Sequence, residues 1–506
     1  MKPFLSTPGT GPQDPGTAAR RPGAIPPAIW LFGGLLLYFA LQLVMRVLTA
    51  QAVELDEAEQ LLWTQDLRMG YGPQPPLYTW LQWAFFQAFG ASIFALALLK
   101  NLLLLGTYSF TWLAARRLVA PPLAALSSAS MLLLMQIVWE SQRDLTHSVL
   151  VTTAAAATLA LLVELLRRPR AGLYLLLGVA VACGLLAKYS FALFIAAFGA
   201  ALLLTPGTRR VLLDRRLVLT TAVAAVLVAP HALWVVHHLG DAVSSTAGKL
   251  SADHVRGAGQ IAHGLISLAG IGPSFLSPLW VVLALLFGRG LSSHRDGRDP
   301  VMAGLFVRYL ALLAALLVAT VVLGGAAHFN DRWLQPVLFF APLMFFVGWP
   351  GLVRHPRLPG LAWAAAAMAL LTLTLLALRP WYDGQRGHPG DQNLPIESLA
   401  QAVRAAGIEP TIVVCDNKHL AGSLRLGFPA ARIVHSADAS SALPAGPALL
   451  LTYAPRFDAL RGQHAEWAAA LPTTIEVPYS YAPASAPRMS FAYARVGAPP
   501  AGSVNP

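Results

Sequence analysis

Apolar stretches long enough to cross a lipid bilayer recur along almost the whole of this chain of 506 residues. A helix of about 20 apolar residues spans the roughly 30 Å of hydrocarbon in a membrane. A soluble protein can bury one such helix, but it cannot bury a long series of them. Charged residues make up only 12% of the sequence, whereas an ordinary soluble domain carries about 25%. The sequence therefore predicts an all-α polytopic membrane protein.

The hydrophobic pattern predicts about eleven transmembrane helices, with boundaries good to a few residues. The predicted spans are 27–49, 92–115, 119–138, 145–166, 171–187, 189–205, 217–236, 263–288, 303–323, 332–349 and 359–379. The division of 171–205 into two short spans decides the topology, because a single span there would invert every later loop.

Basic residues lie in short loops between the apolar stretches rather than on one continuous face. The net charge of +12 therefore indicates membrane topology and not nucleic-acid binding. The clusters are Arg20 and Arg21; Arg116 and Arg117; Arg167, Arg168 and Arg170; Arg209, Arg210, Arg215 and Arg216; Arg289, Arg295 and Arg298; Arg354 and Arg357. All of them fall on one side, which the positive-inside rule makes cytoplasmic. The N-terminus is then cytoplasmic, and everything after residue 379 is extracytoplasmic.

Three parts of the chain differ in composition from the membrane part, which we take as residues 27–379. Residues 1–26 are rich in Pro, Gly and Thr and are predicted to be disordered. Residues 380–495 are predicted to form a small extracytoplasmic α/β domain, because strand-like stretches alternate with a helical one. The strands are expected at 411–415, 432–435 and 448–453, and the helix at 419–426. Residues 496–506 are predicted to be a flexible tail.

The first outer loop, residues 50–91, carries acidic and aromatic side chains. Residues 56–68 have the spacing of an amphipathic helix lying in the outer interface, and 76–89 predict a second interfacial helix rich in Trp, Tyr and Phe. Asp56 and Glu57 follow directly where the first span leaves the membrane. Carboxylates at that depth need a polar cavity or a cationic partner. The alternative is that both are solvated loop acids.

Three further outer turns carry candidate site residues. Arg143 and Asp144 precede His147, which shares a helix face with Asp144 if a helix begins there; Asp144 could equally cap that helix. Lys188 and Tyr189 occupy a tight turn, and Arg332 lies beside Trp333 in another short outer turn that begins at His328. For Lys188 and Arg332 the alternative is a side chain that only anchors the protein in the interface.

Histidines are frequent in the predicted outer loops, but their spacing matches no metal signature. They are His147, His231, His237, His238, His254, His263 and His328. No Walker A loop, dinucleotide-binding glycine motif or HExxH motif is present in the sequence. These absences disfavour an ATPase or a zinc protease.

The first outer loop resembles that of the bacterial family 39 glycosyltransferases, which have the multi-spanning GT-C fold. The resemblance lies in Asp56-Glu57-Ala58, Trp63, Gly70-Tyr71 and Pro75-Pro76-Leu77, and the stretch 185–190 is also similar. The group includes dolichyl-phosphate-mannose protein mannosyltransferases and the aminoarabinose transferase that modifies lipid A. The likeness is clearest over the first 190 or so residues.

The resemblance implies a glycosyltransferase of the bacterial inner membrane. Its donor would be a polyprenyl-phosphate-linked sugar, and its acceptor an extracytoplasmic lipid, glycan or protein. In such enzymes an acid of this first loop lies at the catalytic centre, which implies Asp56 or the adjacent Glu57, with Asp144 as a second acid. Lys188, Arg143 and Arg332 are the cations expected to meet the phosphate. No metal is required, although the chemistry leaves room for a divalent ion.

Two positions depart from the aminoarabinose transferases. Glu59 and Gln74 stand where those enzymes carry an Arg and a Lys that contact the lipid phosphate. The donor or acceptor is therefore expected to differ from theirs. Tyr71, Gln74, Tyr189 and His147 are expected to complete the substrate-binding surface.

Two other classes of protein fit parts of the pattern. A transporter or flippase would favour charges near the middle of the bilayer and internal repeats. Here the charges lie at the ends of the spans, and we find no repeat. A scaffold or sensor that binds a partner through its outer domain is the third reading.

Overall fold

The computed structural model describes residues 26–240, 258–324, 326, 328–438 and 447–497. The predicted disorder of 1–26 and the predicted tail at 496–506 lie outside these residues, apart from positions 26, 496 and 497. His254 also lies outside them.

Helices form the whole of the described chain up to residue 385, apart from short connections and 3₁₀ or π turns. In order, they are α1 (Pro27–Thr49), α2 (Leu55–Trp63), α3 (Leu77–Phe89), α4 (Ile93–Ala115), α5 (Pro121–Ala129), α6 (Ser141–Arg143), α7 (His147–Arg167), α8 (Ala171–Ala187), α9 (Phe191–Leu204), α10 (Leu217–His237), α11 (Ala258–Leu276), α12 (Leu279–Phe287), α13 (Pro300–Val322), α14 (Gln335–Leu338), α15 (Ala341–Gly348) and α16 (Leu358–Gln385).

Among the residues that the structure describes, six helices are long and apolar enough to cross a membrane: α1, α4, α7, α10, α13 and α16. Shorter apolar helices lie in four further predicted spans, 119–138, 171–187, 189–205 and 332–349. The predicted division of 171–205 is confirmed, because α8 and α9 are separate helices joined by a turn at Lys188. Close packing of α8 on α10 uses Gly178, where an added Cβ would come within 2.7 Å of the Thr220 carbonyl oxygen.

Three predicted spans are not single helices. The predicted span 263–288 is divided into α11 and α12, because Pro278 lacks the N–H that would continue the helical ladder. The span 332–349 is likewise divided into α14 and α15, each with a proline in its first turn. In the span 119–138, α5 ends at Ala129 and gives way to 3₁₀ and π turns.

The first outer loop contains both predicted helices, but one of them is placed differently from the expectation. The second, α3, is confirmed. The first, α2, ends at Trp63 rather than at 68, and it does not lie with its apolar face in the membrane interface. Ala58 and Leu61 are fully buried, because that face of α2 packs against Phe86 of α3, against the start of α4, and against a later helix, Lys418–Gly427.

The C-terminal region, which we define as residues 386–497, contains a five-stranded sheet. Its elements are α17 (Ile396–Ala405), β1 (Ile412–Cys415), α18 (Lys418–Gly427), β2 (Arg432–His435), β3 (Ala448–Tyr453), α19 (Phe457–Arg461), β4 (Thr473–Val477) and β5 (Met489–Val496). The strand order is β2-β1-β3-β5-β4, with β1 parallel to both neighbours and β5 antiparallel to β3 and β4. The three predicted strands and the predicted helix α18 are confirmed, whereas β4 and β5 were not predicted.

Candidate active site

The start of α2 carries three acidic side chains, and two of them are buried in ion pairs. Glu57 is 1% exposed, and its carboxylate lies 2.5 Å from Arg46 of α1 and 2.7 Å from Lys100 of α4. Burial alone raises the pKa of Glu57, but the charges of Arg46 and Lys100 bring it below its ordinary value. Glu57 is therefore a carboxylate already neutralised by two cations.

Glu54, which precedes α2, is the second buried acid, and it is 3% exposed. One carboxylate oxygen accepts hydrogen bonds from Arg379 at 3.0 Å and from Gln392 at 3.1 Å. The other lies 3.6 Å from Arg143. Glu54 thus joins the end of the last long helix and the C-terminal region to a predicted substrate-binding arginine.

Asp56 is the exception among the three acids. Its side chain is half-buried, and no cation lies within ion-pairing distance of it in the described part of the chain. Its backbone N–H donates to Oδ1 of Asp144 at 2.9 Å, so the two acids predicted from distant loops do meet. Burial, and then the charge of Asp56, raises the pKa of Asp144 to about 7. The alternative in which Asp144 caps α7 is wrong, because its side chain holds the start of α2 instead.

A cavity of about 420 Å³ is lined by Asp144, whereas Asp56 lies behind Asp144 and outside the lining. Its walls come from the turns between α5 and α7 and from the loop before α14. The lining residues are Gln136, Glu140, Arg143, Asp144, Leu145, Phe329, Asn330, Asp331 and Arg332. Three predicted site residues from two distant segments therefore face one space. A π turn at Gln136–Glu140 forms part of the wall, as is common at functional sites.

The two arginines of the cavity differ in their partners. The Arg143 guanidinium donates to Glu140 at 2.9 and 3.2 Å, in addition to its contact with Glu54. The Arg332 guanidinium has no carboxylate within 4 Å among the described residues, and the side chain is only half-buried. Arg332 is therefore the cation of the cavity that is available to an anionic ligand.

The other predicted binding residues lie outside the lining of this cavity. Lys188 donates to the Ser148 hydroxyl at 2.7 Å. The Tyr189 hydroxyl lies 3.2 Å from Nε2 of His231, and the two rings are stacked. His147 is buried, with Nε2 3.3 Å from the Gln60 side-chain amide. Their contact with substrate stays a prediction.

Tyr71 and Gln74 close a turn in the loop between α2 and α3. Their backbones exchange hydrogen bonds of 3.1 and 3.2 Å. Tyr71 is buried, donates from its hydroxyl to the Asp66 carbonyl at 2.8 Å and stacks on Trp63. Both residues support the loop that carries α2, and a role in binding is untested.

Five residues around this site were not predicted to belong to it: Arg46, Glu54, Lys100, Arg379 and Gln392. A sequence signal existed for Arg46 and Lys100, because each is a charge within an apolar stretch, where an ionisable side chain needs a partner. No local pattern marks Arg379 or Gln392 as a neighbour of Glu54.

Similarity to known proteins identifies the family of the chain. The family model described as dolichyl-phosphate-mannose-protein mannosyltransferase matches residues 73–234. The lipopolysaccharide core galacturonosyltransferase RgtB of Rhizobium johnstonii is 35% identical over 487 residues, which cover 93% of this chain and 98% of that relative. This chain belongs to the same family of membrane glycosyltransferases. The transferase is also 33% identical over 429 residues to RgtA of the same organism, named a lipopolysaccharide core galacturonosyltransferase, covering 83% of this chain and 86% of that relative.

The fold of the transferase matches that of solved GT-C enzymes. The crystal structure of ArnT from Cupriavidus metallidurans bound to undecaprenyl phosphate superposes with a TM-score of 0.58 at 15% identity, over 92% of this chain and 98% of that chain. The apo structure of the same enzyme gives a TM-score of 0.51. The transferase is therefore an integral protein of a bacterial inner membrane with a GT-C-like fold, and the relatives favour an enzyme over a transporter.

Proposed function

We propose that this transferase moves a uronic acid, such as galacturonic acid, from a polyprenyl-phosphate donor to a sugar of lipopolysaccharide on the extracytoplasmic face. The observation that carries the proposal is the contact of Asp56 with Asp144, which lines a cavity together with Arg332. The names of the related galacturonosyltransferases support the sugar and the acceptor. The undecaprenyl phosphate bound to ArnT supports the kind of donor.

Asp56 acts as the general base in this mechanism. An acceptor hydroxyl attacks the anomeric carbon of the donor sugar and passes its proton to the Asp56 carboxylate. The bond between that carbon and the phosphate oxygen breaks, and polyprenyl phosphate leaves with the bonding electrons. Glu57 is a poor candidate for this role, because Arg46 and Lys100 already stabilise its charge.

Asp144 keeps the local charge low. Two carboxyl groups this close do not ionise independently, and the pKa of about 7 indicates that Asp144 retains its proton below neutral pH. The pair then carries one negative charge, which reduces repulsion of an anionic donor. Oδ1 of Asp144 also holds the first turn of α2 by accepting the Asp56 backbone N–H.

Arg332 stabilises the departing phosphate, because it faces the cavity and is not committed to a carboxylate of the described chain. Arg143, which also lines the cavity, contributes a second positive charge, although Glu140 and Glu54 already hold it. A uronosyl donor carries two anionic groups, the phosphate and the sugar carboxylate, so two arginines suit it. Lys188 remains a further candidate for the phosphate.

The same proposal places the N-terminus in the cytoplasm and the C-terminal region outside it. The support is the distribution of arginines among the loops. Residues 50–91 and 386–497 then lie on one side of the membrane, which is the side that a lipopolysaccharide acceptor reaches.

The experiment is a transfer assay with the purified full-length protein in lipid nanodiscs. The donor is a labelled polyprenyl-phosphate galacturonic acid, and the acceptor is a lipopolysaccharide core. We expect label in the acceptor from the unaltered protein and a loss of about 100-fold or more in Asp56→Asn. Asp458→Asn is the matched control, because that side chain is 82% exposed. Movement of intact donor across a vesicle without cleavage would favour a flippase instead.

A further inference from the structure

The segment that carries Asp56 is bound along its length by the C-terminal region. Where the segment begins, the Tyr481 hydroxyl donates to the Thr49 carbonyl at 2.8 Å and the Ser480 hydroxyl donates to the Gln51 side chain at 2.6 Å. Nε2 of His419 lies 2.6 Å from the Val53 carbonyl oxygen. These contacts hold the residues that lead from α1 into α2.

The end of α2 is bound in the same way. Arg425 of α18 donates to the last turn of α2, at the Leu61 carbonyl oxygen, and to the Thr64 hydroxyl at 2.8 Å. The Gln65 side-chain amide forms the same pair of hydrogen bonds with β2 that the backbone of a neighbouring strand would form. It donates to the Ile433 carbonyl oxygen at 2.8 Å and accepts from the Ile433 N–H at 2.9 Å.

An ion pair closes this end of the contact. The Arg432 guanidinium donates to both carboxylate oxygens of Asp66, at 2.7 and 3.2 Å. Burial alone raises the pKa of Asp66, but hydrogen bonds and charge from Arg432 and Arg68 bring it below its ordinary value. Asp66 is therefore a carboxylate at neutral pH, and the pair is bidentate, the arrangement with the most geometric specificity.

Between the two ends, α18 lies directly against the backbone of α2. A Cβ added at Gly422 would stand 2.2 Å from the Ala58 carbonyl oxygen and 2.6 Å from its Cα. No real Cβ approaches backbone atoms so closely, so this contact requires glycine. The approach is two residues from Asp56, which means that a shift of α18 moves the acid.

A helix of nine residues is too short to be stable alone in water, since isolated helices shorter than about 12–15 residues are marginal. Its position must come from its neighbours. Two of these neighbours, Arg46 and Lys100, hold Glu57. The C-terminal region supplies the contacts at Ala58 and Leu61, and at Asp66 just beyond the end of the helix.

We propose that the C-terminal region is a positioning element for the reaction: it clamps α2 so that Asp56 is held against Asp144, which lines the cavity. This inference rests on the proposed role of Asp56 as the base. Residues of the clamp do not touch the reacting atoms. Their loss should therefore lower kcat through a displaced base, while the donor KM, set by the arginines of the cavity, changes little.

The first test compares two glycines of α18 in the full-length protein. Gly422→Ala places a methyl group against the Ala58 backbone. Gly427→Ala places one against Ala400 and Ile396, inside the C-terminal region itself, with nearest distances of 3.0 and 3.1 Å. We expect Gly422→Ala to lower kcat by about tenfold or more, because displacements near 1 Å cost up to about 100-fold. Gly427→Ala should stay within about twofold of the unaltered protein.

Hydrogen exchange of residues 55–63 gives a readout that does not need activity. We expect faster exchange there in Gly422→Ala and not in Gly427→Ala, at matched Tm. Unchanged exchange and kcat in Gly422→Ala would overturn the clamp. Faster exchange with an unchanged kcat would overturn it as well, because α2 would then work without being held.

The second test exchanges the charges of the ion pair. Asp66→Arg and Arg432→Asp should each lower kcat, and the double variant should recover most of the loss, because the attraction is restored with reversed signs. Failure of the double variant to recover, when both single variants are impaired and folded, would contradict the clamp. Retained activity in Asp56→Asn is a separate outcome: it would remove the proposed base and leave the exchange results standing.

Discussion

The charged residues around Glu57 and those around Asp56 and the cavity are of the same kinds but in opposite states. Beneath the helix, Glu57 is sealed between Arg46 and Lys100. Asp56, which contacts Asp144, and Arg332, which lines the cavity, form no ion pair among the described residues. Burying a charge is costly unless it is paired, so the ion pairs of Glu57 serve stability. The unpaired charges of Asp56 and Arg332 remain available to a ligand. Pairing, rather than residue type, therefore distinguishes the reactive surface.

The largest expected effects come from neutralising the two adjacent acids. Asp56→Asn should abolish transfer with an unchanged Tm, whereas Glu57→Gln should lower the free energy of unfolding by about 3–5 kcal/mol, because it leaves Arg46 and Lys100 buried without their anion. Thermal unfolding and kcat per folded molecule, measured on both variants, separate the two roles. A Glu57→Gln protein that is fully stable yet inactive would contradict the assignment of a structural role to Glu57.

The next effect distinguishes the two arginines of the cavity. Arg332→Ala should raise the donor KM by about tenfold or more, the scale of a lost hydrogen bond to a charged group, and leave the Tm unchanged. Arg143→Ala should lower the Tm as well, because it strands Glu54 and Glu140. An Arg332→Ala protein with normal donor KM would show that the phosphate is bound elsewhere.

A smaller effect concerns pH. The pKa of Asp144 is raised to about 7, so its second negative charge develops as the pH passes through neutral, and the donor KM should rise above about pH 7. Asp144→Asn keeps an oxygen for the Asp56 N–H and cannot ionise, so its donor KM should not rise there. The protonated Asp144 also affects stability in the same pH range. Its contribution to the free energy of unfolding is fully present below its pKa in the unfolded chain, about 3.9, and is lost as the pH rises through 7. Kinetics of both proteins between pH 5 and 9 measure the difference.

The smallest expected effect is that of Lys188. If it reaches the donor phosphate, Lys188→Ala should raise the donor KM a few-fold, consistent with about 1 kcal/mol for a partly exposed charge, and the fold should be preserved. An unchanged donor affinity would make Lys188 an anchor that donates to Ser148.

Local patterns in the sequence were enough to predict which side chains belong to the site, but not how they are paired. Asp56, Asp144, Arg143 and Arg332 all follow the ends of apolar stretches, and span-end charges on one side can be counted from sequence. That Glu54 meets Arg379 depends on packing between residues 325 positions apart. Nothing in the neighbourhood of either residue records such a contact.

The same limit applies to the fold. Strands β1 and β3 are continuous apolar stretches and were predicted, whereas β4 is mostly exposed at the edge of the sheet and has no such pattern. Divided helices such as α11 and α12 also escaped prediction. A hydrophobic pattern contains no information on the N–H that proline lacks, so it predicts one unbroken span.

The ion pair at Glu54 has a consequence for biogenesis. This acid is made early, yet its nearest partners, Arg379 and Gln392, are 325 and 338 residues further along the chain. A ribosome must therefore complete the last long helix before the first outer loop can reach its final form. A nascent chain that stops short of that point lacks both of these partners, so its Glu54 carboxylate has not yet acquired its final hydrogen bonds.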